Sequence, residues 1–130
     1  MAALSDYSEK ALLDWLMGGA TPSRPSARHV ALFTAAPNDA GGGTEVSTGS
    51  YARQAATFAA ATSGAGTTTT TNAQSFTASG ASWGSITHVG VFDAATSGNL
   101  LWHGAITTAR TVNDGDTITF AIGSVDLTMA

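Results

Sequence analysis

The chain has no cysteine and, in 130 residues, only 14 that carry charge, 11% of the total. The first absence excludes disulfides and thiolate zinc sites. The second is less than half the usual charged share of about 25%. Lys10 is the one lysine, and Arg24, Arg28, Arg53 and Arg110 are scattered along the chain. Nucleic-acid binding driven by phosphate contacts needs clustered Lys and Arg to release counterions. A net charge of −4 without such a cluster argues against it, and equally against an anionic membrane surface. No run is long and apolar enough to span a bilayer. Nothing at the N-terminus reads as a basic region, an apolar core and a cleavage site, so no secretory leader is expected.

What is present is small and neutral. Apolar residues make up 43% of the chain, much of that alanine, beside many Thr, Ser and Gly. One domain of this length buries a core without metal or disulfide staples. Large side chains are few, so the core must be thin and built around Leu32, Phe33, Phe58, Phe76, Trp83, Phe92, Trp102 and Phe120. A weakly charged surface suits a protein packed into an assembly more than one that must stay soluble alone.

One helix is predicted, over Ser5 to Met17. Ser5 or Asp6 can cap it, Glu9 sits in the first turn, and Gly18-Gly19 ends it. Leu12, Leu13, Trp15 and Leu16 form its apolar stripe. That stripe packs either on the domain's own sheet or on a neighbouring subunit.

The rest reads as short strands between turn signals. They are His29–Thr34, Tyr51–Phe58, Gln74–Ala78, a hairpin over Ser85–Ile106, Thr117–Ile122 and Val125–Met129. The Thr67–Thr71 run is either a polar edge strand or a loop. Together these predict an all-β fold, an antiparallel β-sandwich, jelly-roll-like, with one short N-terminal helix. Residues 1–19 are the helical part of the same unit, and residues 20–130 the sandwich. By simple alternation Ile86, Gly90 and Phe92 share one face of the hairpin and Val89 and Val91 the other. Leu100, Trp102 and Ile106 share a face, with Leu101 and Ala105 opposite. Apolar residues on both faces call for two covers, and the second could be the chain's own helix or another subunit. Trp15, Leu16, Leu101 and Trp102 are therefore the candidate assembly residues.

Chemistry is poorly supported. Gly80-Ala81-Ser82-Trp83-Gly84 has nucleophile-elbow spacing, with Asp93 and His103 following in hydrolase order. That motif works where a strand turns into a helix, and the residues after Gly84 read as strand, so no catalytic residue is assigned. His29, His88 and His103 lack metal-site spacing, and Asp39, Asp114 and Asp116 lack a full calcium loop. No metal and no cofactor is expected. Arg53, in a strand among apolar residues, is a candidate for a structural ion pair.

Three segments carry a family resemblance. They are Leu4–Glu9 running into Leu12-Leu13-Asp14; Val30–Pro37 through the glycine loop to Tyr51-Ala52-Arg53-Gln54; and Trp83–Asp93 with Gly98–Gly104. With a Gly115-Asp116-Thr117 turn, this ordered set resembles small structural proteins of tailed bacteriophages, described as tail-fibre or minor virion proteins. It covers most of the chain, least well over Ala59–Asn72. The resemblance implies a β-sandwich virion component without enzymatic role, made in the bacterial host cytoplasm. Its partners would be copies of itself and other virion proteins. Two alternatives are a capsid decoration protein and a module binding host surface glycan through the Gly41–Ser50 or Ala59–Asn72 loops.

Overall fold

The computed structural model describes residues 2–62, 64 and 66–129. In chain order the elements are β1 (Ala2–Leu4), α1 (Asp6–Met17), β2 (His29–Ala35), β3 (Thr44–Glu45), β4 (Gln54–Ala55), β5 (Thr67–Thr69), β6 (Gln74–Thr77), β7 (Gly84–Phe92), β8 (Leu100–Val112), β9 (Thr117–Phe120) and β10 (Asp126–Thr128). The main sheet runs β1–β8–β7–β2–β3, with β4 taking the other end of the β2 edge. Two antiparallel ribbons, β6–β9 and β5–β10, form the opposing layer. Among the described residues the fold is thus all-β and antiparallel with a single short helix. Among the described residues no helix is long and apolar enough to cross a membrane.

Alternation builds the layers. Val30 and Leu32 of β2, Val91 of β7 and Leu101 of β8 face Phe76, Ile118, Val125 and Leu127 from the ribbons. Along β6, Gln74 and Phe76 are buried while Ser75 and Thr77 face outward. On that outer face the hydroxyls meet across the ribbon, Ser75 with Thr119 at 3.0 Å and Thr77 with Thr117 at 2.9 Å. Such cross-strand pairs are the unit of sheet cohesion.

Two register breaks redirect the β7–β8 hairpin. Leu101 is an extra residue, because Val91 pairs with Trp102 while Phe92 pairs with Leu100. Further on, Ile106–Ala109 of β8 stand against Thr87 alone. An extra residue on β8 shifts the facing of the β8 residues beyond it. The alternation expected from sequence is therefore corrected. Ile86 joins Val91 in the interlayer core, and Trp102 and Ile106 pack against that same cluster, which also holds Leu101. Phe92 and Leu100 lie on the other face with Ala31 and Phe33. The predicted Tyr51–Phe58 strand shrinks to Gln54–Ala55, because Tyr51 and Arg53 turn to other partners. The threonine run pairs with β10.

Gly90 lets the second cluster close. A Cβ there would stand 2.9 Å from both the Leu100 side chain and the Phe33 ring. The Phe33 and Phe92 rings stack nearly parallel over this position, 6.3 Å apart. Gly90→Ala should therefore destabilise by about 1–3 kcal/mol, the usual cost of overpacking. Urea melts would check it, and a neutral substitution would show that the Phe33–Leu100 contact is loose.

Candidate functional site

The helix is tied down at its start and free at its end. Ser5 caps it, accepting from the Ser8 amide, while its own amide donates to the Leu101 carbonyl at 3.1 Å. The Ser5 hydroxyl also donates to the Leu100 carbonyl. The Asp6 amide donates to the Asp39 carbonyl at 2.9 Å. Gly18 closes the helix in the left-handed conformation (φ 78°). Ser8 is the helix residue that is buried. The apolar stripe that sequence offered to either cover divides: Leu12 is half-buried, while Leu13, Trp15 (63% exposed) and Leu16 (59%) are turned to solvent, joined by Met17. Leu13 and Met17, one turn apart, flank Leu16 on one side of the helix, a spacing readable from the sequence.

The hairpin candidates divide. Leu101 is 9% exposed and sits in the chain's own core, so it offers no surface to a neighbour. The bulge turned it inward. Trp102 is half-buried and forms part of the wall of a groove of about 620 Å³ between the two layers. Val89, Val91 and Ile106 line the groove on the main-sheet side, Phe120 and Leu127 on the ribbon side. No residue of α1 lines it.

Arg53 is the hub of a separate polar cluster on the second face. Its Nε and Nη2 donate to the two oxygens of Glu45, each at 2.8 Å, in a bidentate pair. Its Nη1 donates to the carbonyls of Ala94 (3.0 Å) and Ser97 (2.7 Å), and its guanidinium lies 3.6 Å over the Phe92 ring. The Arg53 side chain is 8% exposed. It joins β3, the β7–β8 loop and the Phe33–Phe92 stack.

Tyr51 extends this cluster into the core. Its hydroxyl donates to Glu45 (2.9 Å) and accepts from the Leu32 amide (3.0 Å). Leu32 lies on the β2 edge between the stretches that β3 and β4 cover. The phenol thus replaces a missing strand carbonyl. Its ring stacks on Phe76 and meets Trp83 edge-on. Burial, with the Glu45 carboxylate beside it, pushes the phenol well above its usual pKa. The unfolded chain ionises this group near pH 10. Its neutral form therefore contributes stability that is intact below about pH 10 and is lost as pH rises further. Tyr51→Phe should cost about 1–3 kcal/mol at neutral pH, through the orphaned Leu32 amide. It should also flatten the alkaline limb. Melts between pH 7 and 11 would show both, and an unaltered alkaline slope would refute the Tyr51 assignment.

The catalytic and metal candidates are scattered among unrelated partners. The Ser82 hydroxyl accepts from the Asp114 amide, and Asp114 accepts from the Gly80 amide, each at 2.9 Å. This is a reciprocal turn lock. Asp93 holds the amide and side chain of Asn99, and His103 Nε2 meets Asp39 at 2.8 Å. His88 Nδ1 lies 2.8 Å from the Thr87 hydroxyl. Among the described residues no three His, Asp or Glu side chains converge on a metal position.

Comparison with known proteins adds a family. No protein of curated function matches the chain. A family model described as Podophage GP4 fiber I protein gp80 matches residues 3–128. The match runs from β1 to β10 and takes in the helix, both layers, the Arg53 cluster and the groove. A fibre-protein family is consistent with a structural role. With nearly its whole length matched, the chain belongs to this podophage fibre-protein family.

Proposed function

We propose that the chain is a non-enzymatic building block of a phage tail or tail fibre, located in the virion and held there by its apolar helix tip. One observation carries this reading. Trp15, Leu16 and their neighbours stand in solvent on a domain whose own core closes without them. Contiguous exposed apolar patches of about 300 Å² or more commonly mark interaction sites. At about 25 cal/mol per Å², covering 300 Å² contributes about 7 kcal/mol. Association itself costs about 4–15 kcal/mol. A single contact is therefore weak, and repetition over many copies supplies the strength.

The tip side chains take no part in either core cluster. Trp15→Gln with Leu16→Gln keeps helix-forming residues at exposed positions. It should shift stability by no more than about 0.5 kcal/mol per site while removing association. The test is sedimentation of the chain alone and with purified phage particles stripped of this protein. Wild type should bind tails or fibres and the variant should not. Equal binding by both would sink the assembly role of the tip. Binding to shells alone would point to capsid decoration, and binding to host cells alone to a glycan receptor module.

A further inference from the structure

We infer that the interlayer groove is a carbohydrate site, taking a sugar ring of an uncharged glycan against Trp102. This goes beyond the assembly reading and does not depend on it, because no residue of α1 lines the groove. The groove holds about 620 Å³, within the range usual for ligand sites, about 300–1,000 Å³. Trp102 pairs with Val91, which lies in the interlayer core, so the indole stands on the inner face of the sheet. It is half-buried there, as are Ile106 and, on the ribbon side, Phe120. Together they form an apolar floor that the chain itself does not fully cover. The rim is polar. Thr107 and Thr108, in the bulge opposite Thr87, are exposed, as is Thr128 of β10. Arg110 pairs with Ile86, another core residue, and so also stands on the inner face of β8. Arg110 and Asp126 both line the groove, are exposed and have no ion-pair partner among the described residues.

This composition decides the ligand class. A hydrocarbon chain or an apolar side-chain cluster would bury the hydroxyls and charged groups without partners. A polyanion needs clustered cations. Here Arg110 is offset by Asp126, and His103, which also lines the groove, is held by Asp39. An added peptide strand needs a regular edge, and in this stretch four residues of β8 stand against one of β7. A pyranose meets each part of the lining. Its C–H face is apolar and lies flat on an indole. Its hydroxyls both donate and accept, so they match threonine hydroxyls, a guanidinium that only donates and a carboxylate that only accepts. It carries no charge, and the charges of Arg110 and Asp126 cancel.

The probes are an array of bacterial surface polysaccharides, neutral and acidic, and the neutral trisaccharides maltotriose, cellotriose and mannotriose titrated into isotope-labelled protein. Wild type should bind neutral probes, with saturable amide shifts at Trp102, Arg110 and Phe120. Binding of the trisaccharides alone would assign the site to free oligosaccharide, and binding of the polymers as well to a surface glycan. Trp102→Ala should weaken binding up to about tenfold, and Trp102→Phe should keep most of it. Arg110→Ala should weaken it about tenfold or more. Arg110 is exposed, so that variant keeps the test valid if Trp102→Ala folds poorly, which circular dichroism would show. Trp15→Gln with Leu16→Gln should bind sugar as wild type does. Three results would each overturn the inference and leave the assembly reading standing. They are a wild type that binds none of the neutral probes, binding confined to acidic polysaccharides, and shifts confined to the Gly41–Ser50 or Ala59–Asn72 loops.

Discussion

Arg53→Ala should lower the unfolding free energy by about 3–5 kcal/mol, the cost of removing one partner from a buried ion pair. Typical domains have only about 5–15 kcal/mol in all. The loss has several sources at one position. Glu45 would keep the Tyr51 hydroxyl but lose both guanidinium bonds. The carbonyls of Ala94 and Ser97 would lose their donor, and the Phe92 ring its cover. Arg53→Lys should recover little, because an ammonium is a point charge and cannot reproduce the planar fork. Urea melts of the three proteins would decide it. Salt makes a second check. The pair is mostly enclosed, so the difference between wild type and Arg53→Ala should survive high ionic strength. A difference below about 1 kcal/mol, or one that salt abolishes, would place Arg53 among ordinary surface pairs.

Phe76→Ala should cost a similar amount, about 3–5 kcal/mol. Phe76 is 1% exposed and lies between the layers. Its ring stacks on Tyr51 at 6.3 Å and meets Phe120 edge-on at 6.2 Å. Trp83, whose indole N–H donates to the Thr48 carbonyl at 3.0 Å, continues this aromatic row beyond Tyr51. A core with few large side chains has little to refill the cavity, so the cost should fall toward the upper end. Phe76→Leu, which leaves a smaller void, should lose clearly less. Thermal and urea unfolding would measure both. Equal losses would mean that ring geometry, not filled volume, sets the stability there. Combining Phe76→Ala with Tyr51→Phe should give a non-additive change, since the two rings touch.

Much of this was legible in the residues, and the failures have local causes. The helix was readable because its signals agree: a serine cap, an acidic first turn, an apolar stripe and a glycine stop. The hairpin strands were readable from β-branched and aromatic residues around a polar connector. Their facings were not, because a single extra residue at Leu101 and a longer bulge at Ile106–Ala109 invert the pattern, and neither carries a composition signal. Strands β1, β3 and β4 were missed or overextended because two or three residues show no period. That Arg53 would seek a carboxylate was inferable. That the carboxylate would be Glu45, beyond the glycine loop, was not, since only the folded β3–β2 pairing brings it near. Trp15 and Leu16 stood out as apolar, but their exposure depends on how α1 is tethered at Ser5. The groove, with Phe120 and Leu127 from late strands facing Val89 and Trp102, arises only from layer packing.

The outer face of the β6–β9 ribbon is joined by rungs of neutral hydroxyls, Ser75 to Thr119 and Thr77 to Thr117. Dipoles held at contact distance are not weakened by dissolved electrolyte in the way that opposite ions on a surface are. They also have no proton to gain or lose across the ordinary range of acidity. Fresh water and brine should therefore leave the grip of this face alike, a steadiness that acid–base lacing could not provide.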